Sequence, residues 1–232
     1  MTDTPPRRRK RRPILTALLV LAALPIGGVL IHTLAPPPLT LLMAREFVAG
    51  HGLDYRWRSL DQISPHLVAS AIAAEDARFC SHGGFDMQAI ERALKNNENG
   101  RKVRGGSTIS QQTAKNVFLW PGRDWVRKGL EAGYTLMIET VWSKRRIMEV
   151  YLNVAEMGPG VYGAEAAARH WFGKSAADLT PREAARIAAI LPSPRRYSAG
   201  SPGPYVRRRA SRVQASARVV RNEGLAACVL AP

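Results

Sequence analysis

Hydrophobic and polar positions divide the chain into three stretches. From residue 14 to 35 (ILTALLVLAALPIGGVLIHTLA) the apolar run contains no formally charged residue. Twenty-two residues rising about 1.5 Å each give roughly 33 Å of helix, enough to cross a hydrocarbon core of about 30 Å. This pattern predicts a membrane-spanning helix, in which Pro25, Gly27 and Gly28 are tolerated. Pro36, Pro37 and Pro38 then break the run. Residues 39–48 form a short apolar segment interrupted by Arg45 and Glu46, which either lies along a membrane surface or caps the following domain.

Beyond residue 60 the spacing of apolar positions is helical nearly throughout, with no convincing alternating strand series and no internal repeat. Helices are predicted over 65–79, 86–95, 108–119, 123–141, 144–154, 163–171 and 180–191. A last amphipathic helix is marked by Val206, Ala210, Val213, Ala217 and Val220. Asp86 and Ser143 are candidate N-caps. Thr180-Pro181-Arg182-Glu183 reads as a capping box with Pro at the first helical position. Gly173 and Gly224 read as helix stops. The polar stretch 96–104 (NNENGRKVR) has no apolar face and is expected as a mobile loop. The domain plan is a basic tail over 1–13, an anchor over 14–35, a membrane-proximal linker over 36–60 and an extracytoplasmic all-α domain over 61–232.

Charge refines this plan. The chain of 232 residues holds 34 Lys and Arg against 18 Asp and Glu, a net charge of +16. The six cations of residues 7–12, offset by Asp3, put +5 on the first twelve residues and leave +11 on the remainder. Cations on the N-terminal side of a span predict a cytoplasmic N-terminus and a domain on the far side. A cleaved signal peptide fits less well: its apolar core runs about 7–15 residues, and Thr33-Leu34-Ala35 is a poor cleavage site. A hydrophobic content of 46% excludes a disordered basic tail. The two cysteines, Cys80 and Cys228, exclude a disulfide-dense scaffold and a CxxC zinc site, and can pair only if the fold brings them close. Five histidines without HExxH argue against a zincin centre.

Four clusters carry candidate chemistry, and each also has a bland reading. Glu75, at the end of an apolar helix, lies next to Asp76, Arg78 and His82. Burial would make its carboxylate a better base, whereas the structural reading is a helix-terminal ion pair with Arg78. Gly105-Gly106-Ser107, followed by Gln111, Gln112 and Lys115, offers backbone N–H groups at a helix start, or simply a capped surface helix. Arg123, Arg127 and Glu131 share one helical stripe, with Lys128 beside it. That stripe suits a phosphate grip, or a solvated salt-bridge ladder worth about 0.3–0.5 kcal/mol per pair. Residues 144–153 (KRRIMEVYLN) place Tyr151 and Asn153 as structural groups, a buried hydroxyl and a bracing amide.

In order, EDARFCSHGG (75–84), GGSTISQQTAKN (105–116), RKGLE (127–131), KRRIMEVYLN (144–153) and the stretch 183–197 ending in ILPSPRRY resemble the five motifs of glycosyltransferase family 51, the peptidoglycan glycosyltransferases. VYGAEAAARHWFGK (161–174) also fits, so the resemblance covers roughly residues 55–200. It implies a lysozyme-like, two-lobed helical domain that polymerises lipid II into β(1→4) strands with inversion, releasing undecaprenyl pyrophosphate. No length remains for a transpeptidase domain, so the resemblance is to the monofunctional members. It implies Glu75 as the catalytic base and Glu131 as the second important carboxylate, positioning the donor, with a divalent cation (Mg or Mn) as the candidate cofactor. Ser107, Gln111 and Gln112 would line the cleft, and Lys115, Arg123, Arg127 and Lys128 would neutralise the pyrophosphate. The implied partners are lipid II, the growing glycan strand, membrane lipids and cell-wall synthesis or division proteins, with no nucleic acid. The implied location is the bacterial inner membrane, single-pass, with the 96–104 loop as a lid.

Two other functions fit parts of the pattern. A lysozyme-like hydrolase would use two carboxylates, but a neutral glycan offers no partner for the cations. A non-enzymatic basic protein binding nucleic acid or anionic lipid would explain the eight arginines and no acidic residue of 190–221. The predicted topology places the domain away from cytoplasmic nucleic acid, and those arginines have no specific assignment beyond attraction to an anionic surface.

Overall fold

The computed structural model describes residues 11–98, 106–122 and 124–230. Within its helices the side chains of residues 11–15, 17–22, 92–94 and 96–98 are not described.

Eleven α-helices and three short strands follow one another among the described residues. They are α1 (Arg11–Leu34), α2 (Leu41–Val48), β1 (Asp54–Tyr55), α3 (Pro65–Glu75), α4 (Met87–Glu98), α5 (Ile109–Phe118), α6 (Trp125–Val141), α7 (Lys144–Val154), β2 (Glu156–Gly158), β3 (Val161–Tyr162), α8 (Ala164–Phe172), α9 (Pro181–Ile190), α10 (Pro204–Asn222) and α11 (Ala227–Leu230). The helical class holds. The small sheet, in the order β1-β3-β2, is an addition. β3 runs parallel to β1 and antiparallel to β2. Strands of two or three residues are too short to show an alternating period.

Helix ends follow local chemistry. Thr108 and Thr180 each close a capping box, with Gln111 and Glu183. Ser143 accepts from the Arg146 N–H and opens α7, and Asp86 accepts from the Ala89 N–H. Gly173 ends α8 with φ +67°. α6 starts at Trp125 rather than 123, because Asp124 caps it by accepting from the Arg127 N–H at 2.7 Å. α3 stops at Glu75, four residues before the predicted end, because both carboxylate oxygens of Asp76 are engaged outside the helix. Asn96, Asn97 and Glu98, expected in a loop, complete α4; the rest of that expected loop lies outside the described residues, apart from the exposed Gly106 that follows it.

Two helix groups build the domain. α3, α9 and α10 form one, through Leu67, Val68, Ala71, Ala184, Ile187, Val206 and Ala210. α5 and α6 form the other against α7. α7 is buried on almost every side, at Ile147, Met148, Val150, Tyr151, Leu152 and Val154, as expected of a central helix. Its polar groups hold the chain that precedes α3. Asn153 exchanges two 2.8 Å hydrogen bonds with the Arg58 backbone, and Glu149 accepts from the Leu60 N–H.

Segment 36–60, expected as a membrane-proximal linker, packs against the domain. The Tyr55 hydroxyl donates to the Pro37 carbonyl, β1 joins the sheet, and Met43 and Glu46 of α2 are buried. The end of α1 docks too. Trp142 Nε1 donates to the Val29 carbonyl at 2.9 Å, and Arg146 donates to the His32 and Ala35 carbonyls. Leu24, Ile26, Leu30, Ile31 and Leu34 remain exposed on α1. Among the residues described in full, no helix is long and apolar enough to cross a membrane; most of the predicted span's first half has undescribed side chains.

Cys80 and Cys228 form a disulfide, tying α11 to the 3-10 turn Phe79–Ser81 just after α3.

Candidate active site

The C-terminus of α3 meets the N-terminus of α5 at a cleft of about 370 Å³, walled by Glu75, Asp76, Arg78, Asp86, Ser107 and Thr108. Asp76 latches the two helices together. Its Oδ2 accepts from the Ile109 N–H at 3.0 Å, while Oδ1 lies 2.9 Å from His82 Nε2. The Gly84 N–H donates to His82 Nδ1, so the ring proton sits on Nε2 and points at Asp76. Thr108 Oγ1 donates to the Gly84 carbonyl at 2.6 Å. The loop after Glu75 and the turn before α5 thus form one braced unit.

Glu75 projects from this unit with its side chain only 14% exposed. Gln112 Nε2 donates to its Oε2 at 3.2 Å. Its Oε1 is buried and makes no hydrogen bond, with Arg209 Nη2 at 3.6 Å. Burial raises the Glu75 pKa above the ordinary carboxylate value. The Gln112 amide and the Arg209 and Lys115 charges oppose that rise, and Asp76 adds to it. A carboxylate in this state stays close to its proton, which suits a general base.

Of the predicted cationic stripe, Arg127, Lys128 and Glu131 lie on α6. Arg127 and Glu131 are buried, and Arg127 Nη1 donates to Glu131 Oε2 at 3.2 Å. Lys128 Nζ donates to the other oxygen. The solvated-ladder reading therefore gives way to a buried pair with a half-exposed lysine above it. Asp124, Trp125, Arg127 and Lys128 line a second hollow of about 310 Å³.

The predicted residues thus divide between two concavities. Glu75 and Ser107 line the first, with Gln112 on the Glu75 carboxylate and Lys115 acting on it electrostatically. Arg127 and Lys128 line the second, with Glu131 bonded to both. Gln111 stands apart: it is buried, and its Oε1 accepts from the Thr108 N–H in the capping box, so it shapes the turn instead of lining the cleft. Arg123 lies outside the described residues. The donor set expected of a hard cation is not gathered at Glu131, since both its oxygens already accept from cations. Among the described residues no three His, Cys, Asp or Glu side chains cluster as a metal site.

Sequence reasoning left two contributors without a role. The Asp76–His82 latch sits inside the first motif and joins groups six positions apart. Arg209 is one of the unassigned C-terminal arginines; its spacing from Val206 and Val213 sets it beside the apolar stripe, a signal that could have singled it out from Arg207 and Arg208.

Known proteins resemble this chain over nearly its whole length. The sequence signature of the Transglycosylase family matches residues 44–218. A biosynthetic peptidoglycan transglycosylase of Caulobacter vibrioides is 57% identical over 223 residues, covering 96% of this chain and 97% of that protein. One from Rhodospirillum centenum is 52% identical over the full length of both chains. One from Xanthomonas campestris is 54% identical over 95% of this chain and 93% of its own. With the signature covering the cleft, the α6 stripe and most of the domain, the chain belongs to the Transglycosylase family.

Proposed function

We propose that the chain, a peptidoglycan glycosyltransferase by its family and relatives, polymerises lipid II into β(1→4) glycan strands with Glu75 as the general base. The observation that carries this is the state of Glu75. It is a largely buried carboxylate at the wall of the cleft, with a raised proton affinity. The incoming sugar 4-hydroxyl loses its proton to that carboxylate as its oxygen bonds to the anomeric carbon. The bond from that carbon to the pyrophosphate breaks on the opposite face, so the centre inverts. Undecaprenyl pyrophosphate departs with the electron pair and needs charge neutralisation more than a proton. Lys115, Arg123, Arg127 and Lys128 supply the cations. Glu131 orients two of them, since it holds both Arg127 and Lys128. In this reading Ser107 and Gln112 line the sugar path, and the α3–α9–α10 and α5–α6–α7 groups are the two lobes of a lysozyme-like domain.

The lipid-linked substrate calls for an enzyme at a bilayer. In this reading the uncharged run 14–35 is the anchor, the basic tail stays in the cytoplasm, and the domain lies in the periplasm. The exposed apolar side chains of α1, and Trp125, Val126 and Leu130 at the start of α6, support an orientation with that side toward lipid. The Cys80–Cys228 disulfide suits an oxidising compartment.

The test is a gel assay with labelled lipid II. The wild type should build glycan ladders. Glu75→Gln, with an unchanged melting temperature, should lose on the order of 10²–10⁴ in rate. Full activity in that variant removes Glu75 as the base. Release of soluble muropeptides from intact sacculi would instead identify a hydrolase.

A further inference from the structure

Glu75 occupies a site that works against its charge. It is buried, it ends α3 where the helix dipole is negative, and Asp76 follows it directly. Of the groups that offset this, Gln112 is neutral, and Lys115 is assigned above to the substrate's pyrophosphate. Among the described residues, the remaining cation acting on it is Arg209, reaching Glu75 from the side of α10.

The packing of α10 explains why this arginine turns inward. Val206, Ala210, Val213 and Ala217 form the buried stripe of the helix. Arg207 and Arg208 are exposed, while the Arg209 side chain is 25% exposed and its Nε is buried without a hydrogen bond. Ala73 and Ala74 of α3 leave room for it. They line the catalytic cleft and also a second pocket of about 210 Å³ that Arg209, Arg212, Val213 and Ser216 complete. Arg209 thus approaches the buried oxygen of Glu75 from behind, while the cleft lies in front.

We propose that Arg209 is a positioning residue for catalysis: its guanidinium pairs with Glu75 Oε1 and keeps the base ionised and aimed into the cleft. This rests on the reading of Glu75 as the base. Among the described residues, the groups facing Glu75 are Asp76 from α3, Gln112 and Lys115 from α5, Arg209 from α10, and the buried Tyr151 hydroxyl from α7, whose own ionisation Glu75 and Asp76 oppose along with burial. Of these, only Arg209 is a cation not assigned to the substrate. An opposite charge at about 4–6 Å moves a carboxylate by about 1–3 pH units, and the direction here is downward. Without Arg209, Glu75 would hold its proton to higher pH.

The experiment measures kcat/KM for lipid II polymerisation against pH in the full-length protein, for wild type, Arg209→Gln, Arg209→Lys, Arg212→Gln and Glu75→Gln. Arg209→Gln should move the acidic limb upward by about one pH unit or more, losing roughly tenfold activity on that limb and recovering it at higher pH. Arg209→Lys should lie between Gln and wild type, because it restores charge at shorter reach. Arg212→Gln, on the same helix without contact to Glu75, should leave the limb in place. A merely structural Arg209 would lower activity by one factor at every pH, and an unmoved limb in both Arg209 variants overturns the proposal. Should Arg209→Gln fail to fold, the limb of Arg209→Lys decides: coincidence with wild type at lowered activity overturns it. Glu75→Gln separates the two claims. If it is fully active, the base assignment fails; if it is inactive while the Arg209 limbs are unmoved, only the role of Arg209 fails.

Discussion

Replacing both Cys80 and Cys228 by Ala removes a covalent link between residues 148 positions apart. In the chain-entropy account, a loop of that length left open in the unfolded state costs about 5 kcal/mol of stability at 25 °C. The native contacts of α11 survive the change, since Val229 is 1% exposed and its carbonyl accepts from Arg145 at 2.8 Å. The loss therefore falls chiefly on the unfolded side of the balance. Unfolding entropy near 60 °C is about 2.1 cal/mol/K per residue, or roughly 0.4 kcal/mol/K for about 200 residues, so the melting temperature should fall by about 12 °C. The assay is calorimetric unfolding in detergent, comparing the wild type with and without reductant and the double variant without it. Reduced wild type and double variant should coincide at the lower temperature, and thiol titration of the untreated protein should find no free thiol. A fall of less than about 3 °C with the bond verified would refute the entropic reasoning.

Glu165→Ala should destabilise the fold by roughly 3 kcal/mol in urea unfolding, because the fully buried carboxylate accepts from Arg58, Arg169 and the Ala176 N–H. Burial alone would raise its pKa, but the Ala176 N–H, Arg169 and Arg58 hold it at about 2. That stability is present above the unfolded value near 4.5 and is lost as pH falls through 4.5 toward 2; a wild-type urea midpoint that did not fall over this window more than that of Glu165→Ala would contradict it. Gly163→Ala should cost at least about 2 kcal/mol, since φ is +84° and the added carbon would meet the Asn153 carbonyl oxygen at 2.4 Å; an unchanged melting temperature would show that the turn relaxes freely. Trp125→Ser, at a side chain 91% exposed, should leave the melting temperature unchanged and weaken binding to anionic vesicles. Equal binding would remove Trp125 from the lipid-facing side.

Local rules carried much of this fold. The capping box at Thr180, the Ser143 cap and the whole of α7 follow from short sequence spacings, because a helix end depends on residues three or four positions away. Glu75 was legible as a helix-terminal carboxylate for the same reason. Pairings over long separation were not. β1 joins β3 across more than a hundred residues, with strands too short to show a period. The apolar stripe of the last helix already sets Arg209 beside the buried face and Arg208 opposite it, but that this flank meets Glu75 depends on how α10 packs on α3. The Arg127–Glu131 spacing was visible, but burial, which turns a weak surface pair into a fixed element, depends on what covers α6.

The clamp on α1 has a mechanical consequence. Trp142 and Arg146 take three carbonyls at and just beyond the end of that helix, those of Val29, His32 and Ala35. If the apolar run is the anchor, its end is fixed to the domain and is not a loose tether, and the tilt of the domain above the lipid is set at this joint. Extra residues inserted at 36–38 would bulge without moving the cleft. One extra residue within α1, below the clamp, would turn the domain by about 100° about the helix axis and lift it by about 1.5 Å, so cleft height and heading are encoded in the length of that helix.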